Sequence, residues 1–205
     1  MVGTVETLGI ALDRLAAREP AFASVLETHG RPEPRSSAPG AHSLLRTIVG
    51  QQVSVAAARS MWAKLEAAYG APPDLLAILN ASDEELRAAG LSRQKAGYAR
   101  SLAQLILSGE LDLHHLPRDD EEAIALLTRI KGIGRWSAEI YLLFAEGRTD
   151  VWPAGDLAVQ IAIGRMLAME ARPTERALRE LAEAWRPHRG AAALLAWHSY
   201  NNPVL

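Results

Sequence analysis

Residues 126–166 read LLTRIKGIGRWSAEIYLLFAEGRTDVWPAGDLAVQIAIGRM, and this stretch decides how the rest of the chain is understood. Leu126, Leu127 and Ile130 close one helical pattern. Lys131-Gly132-Ile133-Gly134 turns the chain, and a second helical pattern runs to about Ala145, with Gly147 beyond its end. Two glycines two residues apart permit a hairpin that other residues cannot make, and they let an anion approach the backbone. The amides opening the second helix have no intrahelical acceptors and attract negative charge. Gly-x-Gly alone describes an ordinary helical hairpin equally well. The loop Val151-Trp152-Pro153-Ala154-Gly155 then delivers Asp156 to the start of a further helix. The helix dipole favours a carboxylate there, and an aspartate at that position is also a common cap.

Outward from this stretch the pattern stays helical. Acidic residues 119–122 suit the first turn of the helix before the hairpin. Leu44, Leu45, Ile48 and Val49 share a helical face, Gly50-Gln51-Gln52-Val53 interrupts it, and Ser54 caps a helix to about Tyr69. Ser82-Asp83-Glu84-Glu85 is a capping box, and a helix from about Arg93 to Leu107 follows. Residues 30–40, GRPEPRSSAPG, form a linker after one N-terminal helix. No strand pattern emerges, so the expected fold class is all-α, with nine or ten helices.

Composition narrows the function classes. The 205 residues include no cysteine, which excludes disulfides, a thiolate nucleophile, Cys-ligated zinc and an iron–sulfur cluster, and fits a reducing cytoplasm. The N-terminus carries Glu6, Asp13 and Arg14 and is amphipathic, unlike a signal peptide. No apolar run approaches the roughly 20 residues of a membrane span. The histidines show no zinc spacing. A net charge of −2 argues against a generally basic nucleic-acid binder. Charge is locally positive at Arg129, Lys131 and Arg135, and at Arg186, His188 and Arg189, with no acid inside either stretch. Each stretch also reads as a solvated helix end.

Three stretches in order carry a family resemblance. The hairpin IKGIGRWSA with the loop VWPAGD and Asp156 resembles the helix-hairpin-helix, Gly/Pro/Asp signature of the DNA glycosylase superfamily. LLRTIVGQQVSVAAARSMWAKL (residues 44–65) and LRELAEAWRPHRGAAALLAWHSY (residues 178–200) resemble the 3-methyladenine DNA glycosylase II family. The resemblance covers roughly residues 41–200. It implies two helical lobes with a DNA-binding cleft between them: residues 1–40 packing with 136–205, and residues 41–135 forming the other lobe with the hairpin.

The resemblance also implies roles. Asp156 would be the catalytic carboxylate, stabilising an oxocarbenium-like sugar and orienting water. Asp150 falls outside the family's catalytic position. Lyase-type members carry a lysine nucleophile where this chain has Trp136, so a monofunctional hydrolysis is expected, without lyase activity. Trp136 and Trp197 would line a pocket whose aromatic faces suit a cationic alkylated base. Ile140 would join them where the family often has an aromatic side chain. Gln52, preceded by Gln51, would fill the gap left by a flipped base. Lys131, Gly132, Ile133, Gly134 and Arg135 would bind phosphate. Main-chain carbonyls of Thr128, Ile130 and Ile133 would hold a structural Na+ or K+, with no cofactor in the chemistry. The expected partner is double-stranded DNA with a damaged base, the expected state a cytoplasmic monomer, and no membrane is involved. Two alternatives stay open: a glycosylase of the same fold for deaminated or other lesions, and a non-catalytic DNA-binding module.

Overall fold

The computed structural model describes residues 5–202, and no strand occurs among them. Twelve α-helices and one 3-10 turn follow in order among the described residues: α1 (Val5–Arg18), α2 (Pro20–His29), α3 (Ala41–Gly50), α4 (Val55–Tyr69), α5 (Leu75–Asn80), α6 (Asp83–Ala88), α7 (Arg93–Leu107), α8 (Asp120–Leu127), α9 (Arg135–Phe144), α10 (Leu157–Met166), α11 (Glu175–Leu181), the 3-10 turn Ala182–Trp185, and α12 (Arg189–Asn201). None is long and apolar enough to cross a membrane.

Capping sets most of these boundaries. Ser54, Ser82, Ser92, Asp119, Asp156 and Thr174 each accept from an amide one turn inside their helix, and Ser82 with Glu85 completes the capping box. The structure departs from the sequence reading in two places. The single N-terminal helix is two, because Pro20 opens a new one with Glu19 as its cap. Asp74 also caps a six-residue helix, α5, hidden behind Pro72-Pro73.

The helices divide into two compact units. One takes the chain up to Ser37 and from Leu142 onward; the other is Ala38–Tyr141. In the first unit α10 and α2 pack against α12, and α1 against α2. Its core holds Leu12, Leu15, Phe22, Ile163 and Leu195, all fully buried. Trp185 stacks between Phe22 (ring centroids 4.9 Å apart) and Trp152 (5.5 Å, edge-on). In the second unit α7 packs against α3 and α5 around Leu44, Leu45, Ile48, Ile78 and Leu102. Each such side chain contributes roughly 1.5–3 kcal/mol by leaving water.

Candidate active site

The loop that delivers Asp156 is buried. Val151, Trp152, Pro153 and Ala154 lie inside the first unit, and the Trp152 indole donates to the Leu178 carbonyl at 3.2 Å. The Gln160 amide donates to the Ala154 carbonyl at 2.9 Å, and the Asp156 amide donates to Pro153 at 2.9 Å. The loop cannot swing, so the half-buried Asp156 side chain starts from a fixed place. Its Oδ1 accepts from the Val159 amide at 2.9 Å and from the Trp197 indole Nε1 at 3.1 Å. The first contact is the helix cap. The second comes from α12, 41 residues along the chain, and no capping rule supplies it. Trp197 is itself 9% exposed and packs on Phe144 with centroids 5.8 Å apart. The structure therefore brings Asp156 and Trp197 together, with the indole N–H aimed at the carboxylate.

Asp150 has a different environment. Arg189 reaches its Oδ1 at 3.0 Å, and Arg186 reaches its Oδ2 at 2.7 Å. Glu183 pairs with the same two arginines at 2.8 and 3.0 Å. The basic stretch 186–189, acid-free in sequence, is neutralised in space, and its hydrogen-bonded carboxylates hold Arg186 above its ordinary pKa.

The hairpin shows the same effect. Arg129 pairs with Glu110 at 2.7 Å. Arg135 is gripped by Glu121 and, at 3.0 Å, by the buried Glu139; the Glu121 hydrogen bond raises its pKa further. Lys131 is exposed and pairs with no carboxylate among the described residues. Of the three hairpin cations, it alone has its charge uncompensated. Spacing could have found the Arg135–Glu139 pair, four residues apart on one helix; nothing local could have found Glu110 or Glu121.

The two hairpin glycines are not equivalent. Gly132 has φ +84°, and a Cβ there would meet the Tyr98 ring at 2.2 Å. Gly134 has no positive φ, and its Cβ would meet nothing within 4 Å. The turn therefore requires glycine only at 132. At 134 the missing side chain leaves open space beside the opening amides of α9. The support beneath is α7, which the sequence reading missed: Tyr98 lies against Gly132, and the Ser101 hydroxyl accepts from the Lys131 amide at 3.1 Å.

Gln51, Gln52, Lys95, Tyr98, Gly132 and Trp136 line an open cleft of about 940 Å3 in the second unit, and no Asp or Glu is among its lining residues. That is notable in a chain with 24 acidic residues. Trp136 is 47% exposed, and Gln52 is exposed with φ +54°. Ile140, one turn along from Trp136 on α9, is half-buried. No group of three or more His, Asp or Glu side chains among the described residues could hold a metal.

Residues 45–187 match the model of the HhH-GPD superfamily of base excision DNA repair proteins. The chain belongs to that superfamily. It is 31% identical to DNA-3-methyladenine glycosylase 1 of Schizosaccharomyces pombe over 78% of this chain and 75% of that protein. It is 30% identical to DNA-3-methyladenine glycosylase 2 of Escherichia coli over 76% of this chain and 56% of that one. The chain thus spans between about half and three quarters of these relatives. Among solved structures, that of a Schizosaccharomyces pombe 3-methyladenine DNA glycosylase in complex with abasic DNA superposes with a TM-score of 0.78 at 27% identity, covering 93% of this chain and 96% of that one. The all-helical architecture is the superfamily's.

Proposed function

We propose that this protein is a monofunctional DNA glycosylase that removes alkylated bases from double-stranded DNA in base excision repair. The observation that carries the reading is Asp156, whose Oδ1 is fixed by both the Val159 amide and the Trp197 indole. Cleaving the bond between base and sugar develops positive charge at C1′ and the ring oxygen. A carboxylate held in place beforehand stabilises that charge without reorganising as it forms. The C1′–N bond breaks, the base leaves with the bonding pair, and a water oxygen bonds C1′ as its proton is lost. A base alkylated on a ring nitrogen carries positive charge and leaves neutral, so no strong general acid is required.

The remaining residues fit this scheme. Trp136 stands where a Schiff-base lysine would be needed for strand cleavage, and its exposed ring offers a face to a cationic base. Gln52 fills the gap in the duplex. Lys131 and the backbone around Gly134 contact phosphate, which positions the protein without reading sequence. Arg135, gripped by Glu121 and Glu139, shapes the hairpin. A Na+ or K+ held by the carbonyls of Thr128, Ile130 and Ile133 would add a positive centre facing phosphate. Hard carbonyl oxygens suit such an ion, and no backbone amide of the described residues donates to Thr128 or Ile133.

The test is base release from methylated duplex DNA by the wild type and by Asp156→Asn, with strands scored before and after alkali. Release that needs Asp156, with nicking only after alkali, is expected. Nicking without alkali would overturn the monofunctional reading, and a wild type that releases nothing from methylated DNA would overturn the choice of lesion.

A further inference from the structure

Gln51 and Gln52 are neighbours of the same residue type, yet their environments differ. The Gln51 side chain is half-buried, and its Nε2 donates to the Gly132 carbonyl at 2.7 Å, across 81 residues of chain. That carbonyl belongs to the most constrained point of the hairpin, where φ is +84° and the Tyr98 ring leaves no room for a Cβ. Gln52 is exposed, and its φ of +54° is a left-handed conformation that a non-glycine residue keeps only when its surroundings hold it there. The helix before the loop is fixed as well. Lys95 of α7 donates to the Val49 carbonyl at 2.8 Å, satisfying one of the orphan acceptors at the end of α3, and burial lowers the Lys95 pKa. One helix, α7, therefore supports both the hairpin, through Tyr98 and Ser101, and the loop, through Lys95. Gln51 closes the circuit directly between them.

We infer that Gln51 is a positioning residue that ties the gap-filling loop to the phosphate-binding hairpin, so that gripping the backbone presents Gln52 at a set distance from the gripped phosphate. This rests on the glycosylase reading above and divides the labour within it. Gln52 enters the duplex. Gln51 does not, because its amide is already engaged, and its strained neighbour keeps its conformation because Gln51 and Lys95 hold the loop on either side. A wedge on an untethered loop would search for the gap; a tethered one arrives with the phosphate contact.

The measurement uses the whole protein and a duplex with a tetrahydrofuran abasic analogue opposite 2-aminopurine, whose fluorescence reports disturbance of the unpaired base. Single-turnover base release from methylated DNA is followed in parallel. Gln51→Ala and Gln51→Asn are expected to bind undamaged duplex as wild type does. They should reduce the fluorescence change and slow release by about tenfold, the loss of one hydrogen bond to a half-buried acceptor. Gln51→Asn keeps the polar group but not its reach, and serves if Gln51→Ala melts early. The decisive arm is the Gln52→Ala background, where Gln51→Ala should slow release no further, because a residue acting through Gln52 has nothing left to position. Additive losses, or an unchanged signal in the Gln51 variants, would overturn the tether. A wild type that neither releases base nor alters the fluorescence would overturn the glycosylase reading, and the tether with it.

Discussion

Two aspartates stand at either end of the Val151–Gly155 loop, and their surroundings differ in kind. Asp150 is 19% exposed and enclosed by the guanidinium groups of Arg186 and Arg189, so its charge is cancelled where it stands. Asp156 is gripped through Oδ1 by two neutral donors, a backbone amide and an indole. Those donors fix the carboxylate's direction and leave its charge to act elsewhere. The difference separates a carboxylate that holds the fold from one that can stabilise a cation forming beside it. Sequence position alone separates them poorly, since both are acids at the edge of one loop.

The widest separation should come from replacing each by its amide. Asp156→Asn should slow base release at least a hundredfold, on the order of what one preorganised electrostatic group supplies. Its stability should hardly move, because asparagine caps helices about as well as aspartate and its carbonyl oxygen still accepts from Val159 and Trp197. Asp150→Asn should do the reverse. Removing one partner of a mostly buried ion pair should lose about 2–3 kcal/mol, a fall in melting temperature of about 6 °C for a chain of this size. Release per folded molecule should stay near wild type. Thermal melts beside single-turnover rates check both, and a melting loss in Asp156→Asn as large as in Asp150→Asn would reduce Asp156 to a cap.

Much of this was legible before the structure. The cap residues, the all-helical class and the Asp156 loop follow from local chemistry, because a side chain reaching an amide three residues on leaves its spacing in the sequence. The family motif then lifted Asp156 above a plain cap. What was not legible is long-range. The stretches 129–135 and 186–189 looked positive because their partners, Glu110, Glu121 and Asp150, lie outside them. Tyr98 and Ser101, which support the hairpin, sit on a helix that gave no sign of that task. The two glycines looked alike, and only backbone geometry distinguishes them.

That distinction yields the next effects in size. Gly132→Ala must hold an alanine at φ +84° against the Tyr98 ring, and should lose about 3 kcal/mol from left-handed strain and overpacking together. Gly134→Ala should melt as wild type, since its Cβ meets nothing, and should weaken DNA binding if phosphate approaches there. Equal melting losses in the two would remove the case for an open face at 134. Trp197→Phe keeps a ring against Phe144 and removes only the N–H aimed at Asp156, so release should slow by about tenfold with a small change in stability. A loss confined to stability would make the indole a packing residue.

The smallest effect carries the contrast of the two aspartates over to the cations. Arg135 and Lys131 lie four residues apart in one hairpin, and by sequence both were phosphate ligands. Arg135 resembles Asp150, a charge cancelled by Glu121 and by the buried Glu139. Lys131 is exposed, with no carboxylate partner among the described residues. Each phosphate contact removed should lower the slope of log affinity against log salt by about 0.9. Lys131→Ala should therefore reduce the slope by about one contact and leave the melting temperature alone. Arg135→Ala should leave the slope near wild type and lower the melting temperature, because Glu139 loses its helical partner. Titrating undamaged duplex at several salt concentrations reads both variants on one scale. If the slope falls for Arg135→Ala and not for Lys131→Ala, the hairpin grips DNA through the paired cation, and a charge cancelled in the free protein is exchanged for phosphate on binding.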